Sequence, residues 1–349
     1  LQLQSTALPD SLRLNLQVDI ERKLATVNNV AAALPGKSKE HVIIGAHYDH
    51  LGLGEQHSLA ESMVGQIHHG ADDNASGTAG LLELARMLGA RRGSLARGVV
   101  FLAFAGEEIG LLGSAHYADQ PLLPLAEAAA MINLDMIGRV RNSKLYIGGV
   151  GTGSTFKPLL ENALKQVSFQ ADFAGPDPAG SDHTSFLNKR VPALFFFSGL
   201  HGDYHKPSDT WEKIDAAGAA RVLDLVLEVA DRLIAAGERP QFVRVASEQA
   251  AGAATGSVGG GYGPYFGSIP DFGQVEGGVK FGDVREGSPA AKAGLKAGDI
   301  LVEFDGQPIK NLYDFTFALR SKKAGDSVQV RILREGKPVV ATVTLEQRR

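Results

Sequence analysis

Five side chains able to bind a metal ion sit in five separate short motifs. They are His47 in AHYDH, Asp73 in GADDNASG, Glu108 in AGEEIG, Asp135 in NLDMIG and His205 in DYHKPSDT. Two imidazoles and three carboxylates suit a pair of zinc-like ions, Zn²⁺, with Asp73 as the carboxylate shared between them. Cysteine is absent, so a metal site here must be built from His and carboxylates. Glu107 adjoins a ligand, and its neighbouring carboxylate would raise its pKa towards a working base. Such a set describes hydrolysis at a two-metal centre.

Each motif taken alone has an ordinary alternative. His47 with Asp49 reads as an imidazole whose second ring nitrogen is oriented by a nearby acid, or as a surface His beside a cap. Asp72 and Asp73 open a helix, where an acid is favoured as a cap; Asp72 is the more structural of the two. Glu107 and Glu108 would be a solvated turn, were they not preceded by the buried run VVFLAF. Asp135 ends the apolar run AMINL, where a bare carboxylate is costly. Tyr204, beside His205, is placed to donate to a developing oxyanion. The weight lies in all five motifs occurring in one chain.

The elements that must position these residues are legible in the pattern. HVIIGA (41–46), GVVFLAF (98–104), AMINLD (130–135) and PALFFF (192–197) read as strands buried on both faces. LRLNLQVDI (12–20) alternates as a half-buried strand, and a second strand ends at Pro35-Gly36. Helices are expected at 77–90 and 215–237, the latter capped by Asp215. Strands alternating with helices predict an α/β fold with a mixed, mostly parallel sheet flanked by helices. His47, Glu107, Glu108 and Asp135 all fall just past strand C-termini, where such sheets place their ligand crevices. A long polar loop over 51–70 is also expected to carry function.

Composition divides the 349 residues into two domains. Residues 1–248 form the first, 249–264 a Gly/Ala-rich linker, and 265–349 a small β-rich second domain. Hydrophobic content of 44% and charged content of 21% are those of a globular chain. A net charge of −4 without any basic run argues against a nucleic-acid partner. No apolar run approaches a membrane span. No signal peptide is present, and the first residue is Leu1, as in a processed or trimmed chain.

The motifs AHYDH, GADDNASG, AGEEIGLLGS, NLDMIG and DYHKPSDT, in that order over residues 10–240, resemble the metallopeptidase M28 family of zinc aminopeptidases. The resemblance implies two zinc ions per chain, one on His47 and Asp135, the other on Glu108 and His205, bridged by Asp73. It implies Glu107 as general base, Asp49 beside the ligands and Tyr204 steadying the tetrahedral intermediate. Ser181-Asp182-His183 resembles a family motif near the substrate, with Asp182 and His183 as substrate-binding residues. A helix cap ahead of Thr184 is the alternative there. YFGSIPDF and the segment from Gly277 to Ile309 resemble a bacterial-protease PDZ domain. In it, Tyr265, Phe266 and Gly267 would form the loop that takes a peptide C-terminus.

The implied function is a zinc exopeptidase that removes N-terminal amino acids from peptides. Two rivals remain at this stage: a glutaminyl-cyclase-like acyltransferase, and a catalytically silent peptide-binding protein working through the PDZ domain. The absent Met and the PDZ-type tail suggest a periplasmic or secreted location.

Overall fold

A computed structural model describes residues 25–173, 180–244, 264–270, 277–310, 314, 315, 318, 319 and 321–347. The strand expected at 12–20 and the linker, Pro264 excepted, lie outside the described residues.

The fully apolar runs form the middle of one sheet. Its strands are β1 (Val30–Leu34), β2 (His41–His47), β3 (Gly98–Phe104), β4 (Ala128–Leu134), β5 (Lys144–Gly148), β6 (Gln170–Asp172) and β7 (Ala193–Phe197). Their order is β1-β3-β2-β4-β7-β5-β6. The central four, β3, β2, β4 and β7, run parallel. β1 pairs antiparallel with β3, and β5 antiparallel with β7, so the sheet is mixed at its flanks. Parallel central strands point all their C-terminal ends at one edge, and that edge carries the site.

Both faces of the sheet are covered. Alternation sends Val42, Ile44 and Ala46 to one face, where α1 (Gly77–Gly89), α3 (Phe156–Ala163) and α5 (Ala216–Ala235) pack through Leu84, Leu88, Leu160, Val222 and Leu225. Ile43, Val100, Leu102 and Phe104 face the other way, onto α2 (Leu112–Asp119) and α4 (His183–Asn188) through Tyr117 and Phe186. Continuous rather than alternating hydrophobicity in β2 to β4 reflects this two-sided burial. At the start of α5, the Asp215 carboxylate accepts from the Gly218 N–H, as the sequence predicts.

The C-terminal part is antiparallel. β8 (Ser268–Pro270), β9 (Val279–Val284), β10 (Ile300–Phe304), β12 (Ser327–Arg334) and β13 (Lys337–Thr344) form a sheet in the order β13-β12-β10-β9-β8. The short β11 (Gln307–Pro308) pairs with β10. The α6 turn (Pro289–Lys292) starts at Ser288, whose hydroxyl accepts from the Ala291 N–H. Phe266, Phe281, Phe304 and Phe315 meet at the centre of this second core. Phe266 is therefore a core residue; it is 2% exposed and does not reach out to a ligand. The neighbouring Gly267 has φ +93° and leaves no room for a Cβ, which would fall 2.2 Å from Ser288 Cβ.

Candidate metal centre

His47 is the last residue of β2, Glu107 and Glu108 follow β3, and Asp135 follows β4. Asp73 comes from the turn that leads into α1, and His205 from the connection between β7 and α5. The fold brings all six to one edge. His47 Nε2 lies 3.4 Å from Asp73 Oδ1 and 3.4 Å from Asp135 Oδ1. On the other side, His205 Nε2 lies 3.2 Å from Asp73 Oδ2 and 3.0 Å from Glu108 Oε2. One carboxylate of Asp73 thus presents an oxygen to each group.

These spacings suit a metal. Ligands on one tetrahedral ion with bonds near 2.0–2.1 Å stand about 3.3 Å apart. His47 Nε2 is buried and has no hydrogen-bond partner among the described residues, as expected for an atom shaped to face an ion. Charge balance points the same way. Burial alone would lower the pKa of His47, but Asp135 and Asp73 outweigh it and raise it well above the ordinary value. His205 is raised likewise against its burial, by Asp73 and Glu108. Burial pushes Asp73 up, yet the two imidazoles hold it far below the usual carboxylate range. The pocket demands positive charge, and ions binding there would displace protons.

Glu107 behaves differently. Burial, with Asp135, Asp182 and Glu108 nearby, raises its carboxyl to about 9 despite the pull of His47. An acid whose folded pKa stands above its unfolded value of 4.5 keeps a proton that the unfolded chain has lost. That difference costs wild-type stability as pH rises from 4.5 to about 9. Metal-free Glu107→Gln should match wild type at about pH 4, below the unfolded pKa. It should become progressively more stable towards pH 9, by at most about 1.4 kcal/mol per pH unit. Urea unfolding with chelator present reads this directly, and parallel pH profiles would remove the assignment.

The backbone around the site is held by buried polar side chains. Asn74 Oδ1 accepts from the N–H groups of Gly77 and Met136, while its Nδ2 donates to Leu134 O. This ties the Asp73 turn to the end of β4. Asp209 Oδ2 accepts from the N–H groups of both Asp72 and Asp73. The segment carrying His205 therefore also grips the segment carrying Asp73. Asp72 turns away from the ligand group: its Oδ1 accepts from Gly138 N–H and Ser76, and its Oδ2 lies 3.2 Å from His201 Nε2. The 51–70 loop holds His205 from two sides. His205 Nδ1 meets His57 O at 2.9 Å, and Leu59 N–H donates to His205 O. That contact leaves Nε2 for the site.

Three expectations need correction. Asp49 does not orient His47 through its carboxylate, which is 3.8 Å from Nδ1; the nearer contact, 3.2 Å, is its backbone carbonyl. The carboxylate instead accepts from the Glu107 and Glu108 N–H groups, left over where β3 ends. Asp182 and His183 offer no surface to a substrate, both being 0% exposed. His183 opens α4 with its ring stacked on Phe195 at 4.7 Å, and burial raises Asp182 to about 6. Nor is Asp182 a side-chain cap for that helix. Ser181 reaches the site more directly, donating to Asp135 Oδ2 at 2.8 Å. Tyr204 stacks on His205 with ring centroids 3.9 Å apart.

Sequence reasoning passed over His50, Asn74, Asp209 and His201. All four lie inside or beside the quoted motifs, but polar residues in loops look alike until burial distinguishes them.

The Peptidase family M28 model matches residues 29–230, which contain every residue of this site. The chain belongs to peptidase family M28. A PDZ domain model matches residues 270–345, the antiparallel C-terminal domain. A probable leucine aminopeptidase from Arthroderma otae is 30% identical over 214 residues, covering 59% of this chain and 57% of the fungal protein. The chain thus spans a little over half the length of that relative. Among solved structures, the Legionella pneumophila LapA aminopeptidase superposes with a TM-score of 0.51 at 22% identity, over 60% of this chain and 56% of that one. Porphyromonas gingivalis glutaminyl cyclase superposes with a TM-score of 0.50, also at 22% identity, over 59% of this chain and 77% of that one. Both likenesses concern the fold, and the fold does not separate the two chemistries.

Proposed function

We propose that this M28 chain is a two-zinc aminopeptidase that hydrolyses the N-terminal peptide bond of its substrates. The observation that carries this reading is the division of the Asp73 carboxylate, one oxygen towards His47 and Asp135, the other towards His205 and Glu108. A centre holding a single ion on Asp73, Glu108 and His205 would leave the His47–Asp135 side without a ligand role. The aminopeptidase named among the curated relatives supports the choice of peptide N-termini. His47 and Asp135 would hold one ion, Glu108 and His205 the other, and Asp73 both.

Zinc bound there supplies Lewis-acid polarisation of the scissile carbonyl and makes a nearby water more acidic. The chain's own residues do the rest. Glu107, which positive ions bound beside it would hold ionised, accepts the proton of the attacking water as its oxygen bonds to the carbonyl carbon. It then returns that proton to the departing amine as the C–N bond breaks. Tyr204, fixed against His205, steadies the oxyanion between those two events. Asp49 keeps Glu107 and Glu108 in place through their backbone N–H groups. The PDZ domain would take peptide C-termini by strand addition, with the backbone of residues 265–267 as its loop.

A panel of aminoacyl-nitroanilides tests the activity, with and without chelator and added zinc. Hydrolysis that chelator abolishes and zinc restores is expected. No hydrolysis in either state, with peptide binding intact, would return the silent-binder reading. Cyclisation of N-terminal glutamine with no peptide hydrolysis would return the cyclase.

A further inference from the structure

We propose that His50 is a positioning residue for the metal centre: it holds Glu108 so that only one of its carboxylate oxygens faces the ion. The inference rests on the reading of Glu108, Asp73 and His205 as metal ligands.

Glu108 divides its two oxygens between different partners. Oε2 lies 3.0 Å from His205 Nε2, on the ligand group. Oε1 lies 2.7 Å from His50 Nδ1. The latter distance belongs to an N–H donated to a carboxylate oxygen. Two ligands of one ion stand farther apart, about 3.3 Å. His50 Nδ1 is also 3.9 Å from Asp73 Oδ2, farther than the 3.0–3.4 Å that separates the other His–carboxylate pairs of the ligand set. His50 therefore bonds to a ligand instead of joining the set, although its ring lies close enough to be mistaken for a third donor.

The ring is seated, not merely nearby. Its side chain is 9% exposed. It meets the His205 ring edge-on, with centroids 5.9 Å apart. Behind it lies Gly70, at φ +60°, where an added Cβ would come within 2.5 Å of His50 Cγ. The same glycine precedes the turn that carries Asp73. The chain thus leaves a slot for this imidazole between the backbone of one ligand segment and the carboxylate of another. A donor on Oε1 restricts rotation of the Glu108 carboxylate and spares the ion a competing two-oxygen grip. Partners that orient ligands in this way typically matter 10–100-fold in metal affinity.

Zinc titration against a chromophoric chelator, on wild type, His50→Leu and His50→Asn, tests the proposal. His50→Leu removes the donor; His50→Asn places an amide N–H close to the Nδ1 position. In His50→Leu the ion held by Glu108 is expected to bind about 10–100-fold more weakly while the other changes little. His50→Asn is expected to recover most of the loss. Unchanged zinc affinity in His50→Leu would overturn the proposal, and so would a loss that His50→Asn fails to rescue, since a true ligand or a packing residue behaves that way. The wild-type count tests the underlying reading separately. A single ion in wild type would overturn the dinuclear centre, while the response of that ion to His50→Leu still decides His50. No bound zinc in wild type would overturn both.

Discussion

Glu107→Gln should retain its zinc and lose turnover by roughly 10²–10⁴-fold, the range expected when a general base is removed. Glutamine keeps the size and shape of the side chain but cannot accept a proton. Glu107 contributes no atom to the His–carboxylate contacts of the proposed ligand set, which run from His47 to Asp73 and Asp135, and from His205 to Asp73 and Glu108. Metal content by elemental analysis should therefore be that of wild type, with the loss falling on kcat. Near-wild-type kcat in the zinc-loaded variant would remove Glu107 from its role. Loss of zinc along with activity would show instead that Glu107 is a ligand.

Asp73→Asn should have the second large effect, and on a different observable. Among the described residues, Asp73 is the one whose two oxygens face both groups, Oδ1 at 3.4 Å from His47 and Oδ2 at 3.2 Å from His205. Asparagine offers one neutral oxygen and turns the other position into an N–H donor. The amide N–H donor then points at an imidazole nitrogen that faces an ion in our reading. Zinc retained after dialysis should fall from the two ions per chain that we propose to one or fewer, and hydrolysis should fall with it by at least the 10–100-fold typical of weakened metal sites. Two zinc ions firmly held by Asp73→Asn would sink the shared-carboxylate arrangement.

His47, Glu107, Glu108 and Asp135 were legible because strand pattern and residue type agree at each of them, whereas Asp73 and His205 were marked by their short motifs alone. β2 is apolar from Val42 to Ala46 and ends on His47; β4 is apolar around Asn133 and is followed by Asp135. A charged or metal-binding side chain at such a point has few inexpensive explanations. The sheet was legible for the same reason, since two-sided burial leaves continuous apolar runs. The supporting residues carry no such signature. Asp209 stands in a polar loop four residues past His205, and its meaning comes from two N–H groups that are 136 and 137 residues away. His50 needs Gly70 behind it and Glu108 before it, and neither is a neighbour in sequence. In the sequence Asp49 reads as a partner of the nearest imidazole, whereas the end of β3 leaves two backbone donors that claim it. Asp182 and His183 have the residue types of a binding site, but the first turn of α4 packs them out of reach. Chemistry that depends on one strand end is readable locally; chemistry that depends on which loops meet is not.

The 51–70 loop closes on His205 through one side-chain contact and one backbone hydrogen bond, and little of it forms regular structure. Ordering so many residues costs conformational entropy, and the imidazole they grip is itself a zinc ligand in our reading. Metal capture and loop closure then become one thermodynamic event. Every substitution that stiffens or loosens the loop would be felt as a change in zinc affinity, even at positions that never approach the ion. Selection acting on this loop, for whatever it admits to the crevice, would also be tuning how much free metal the enzyme needs in order to work.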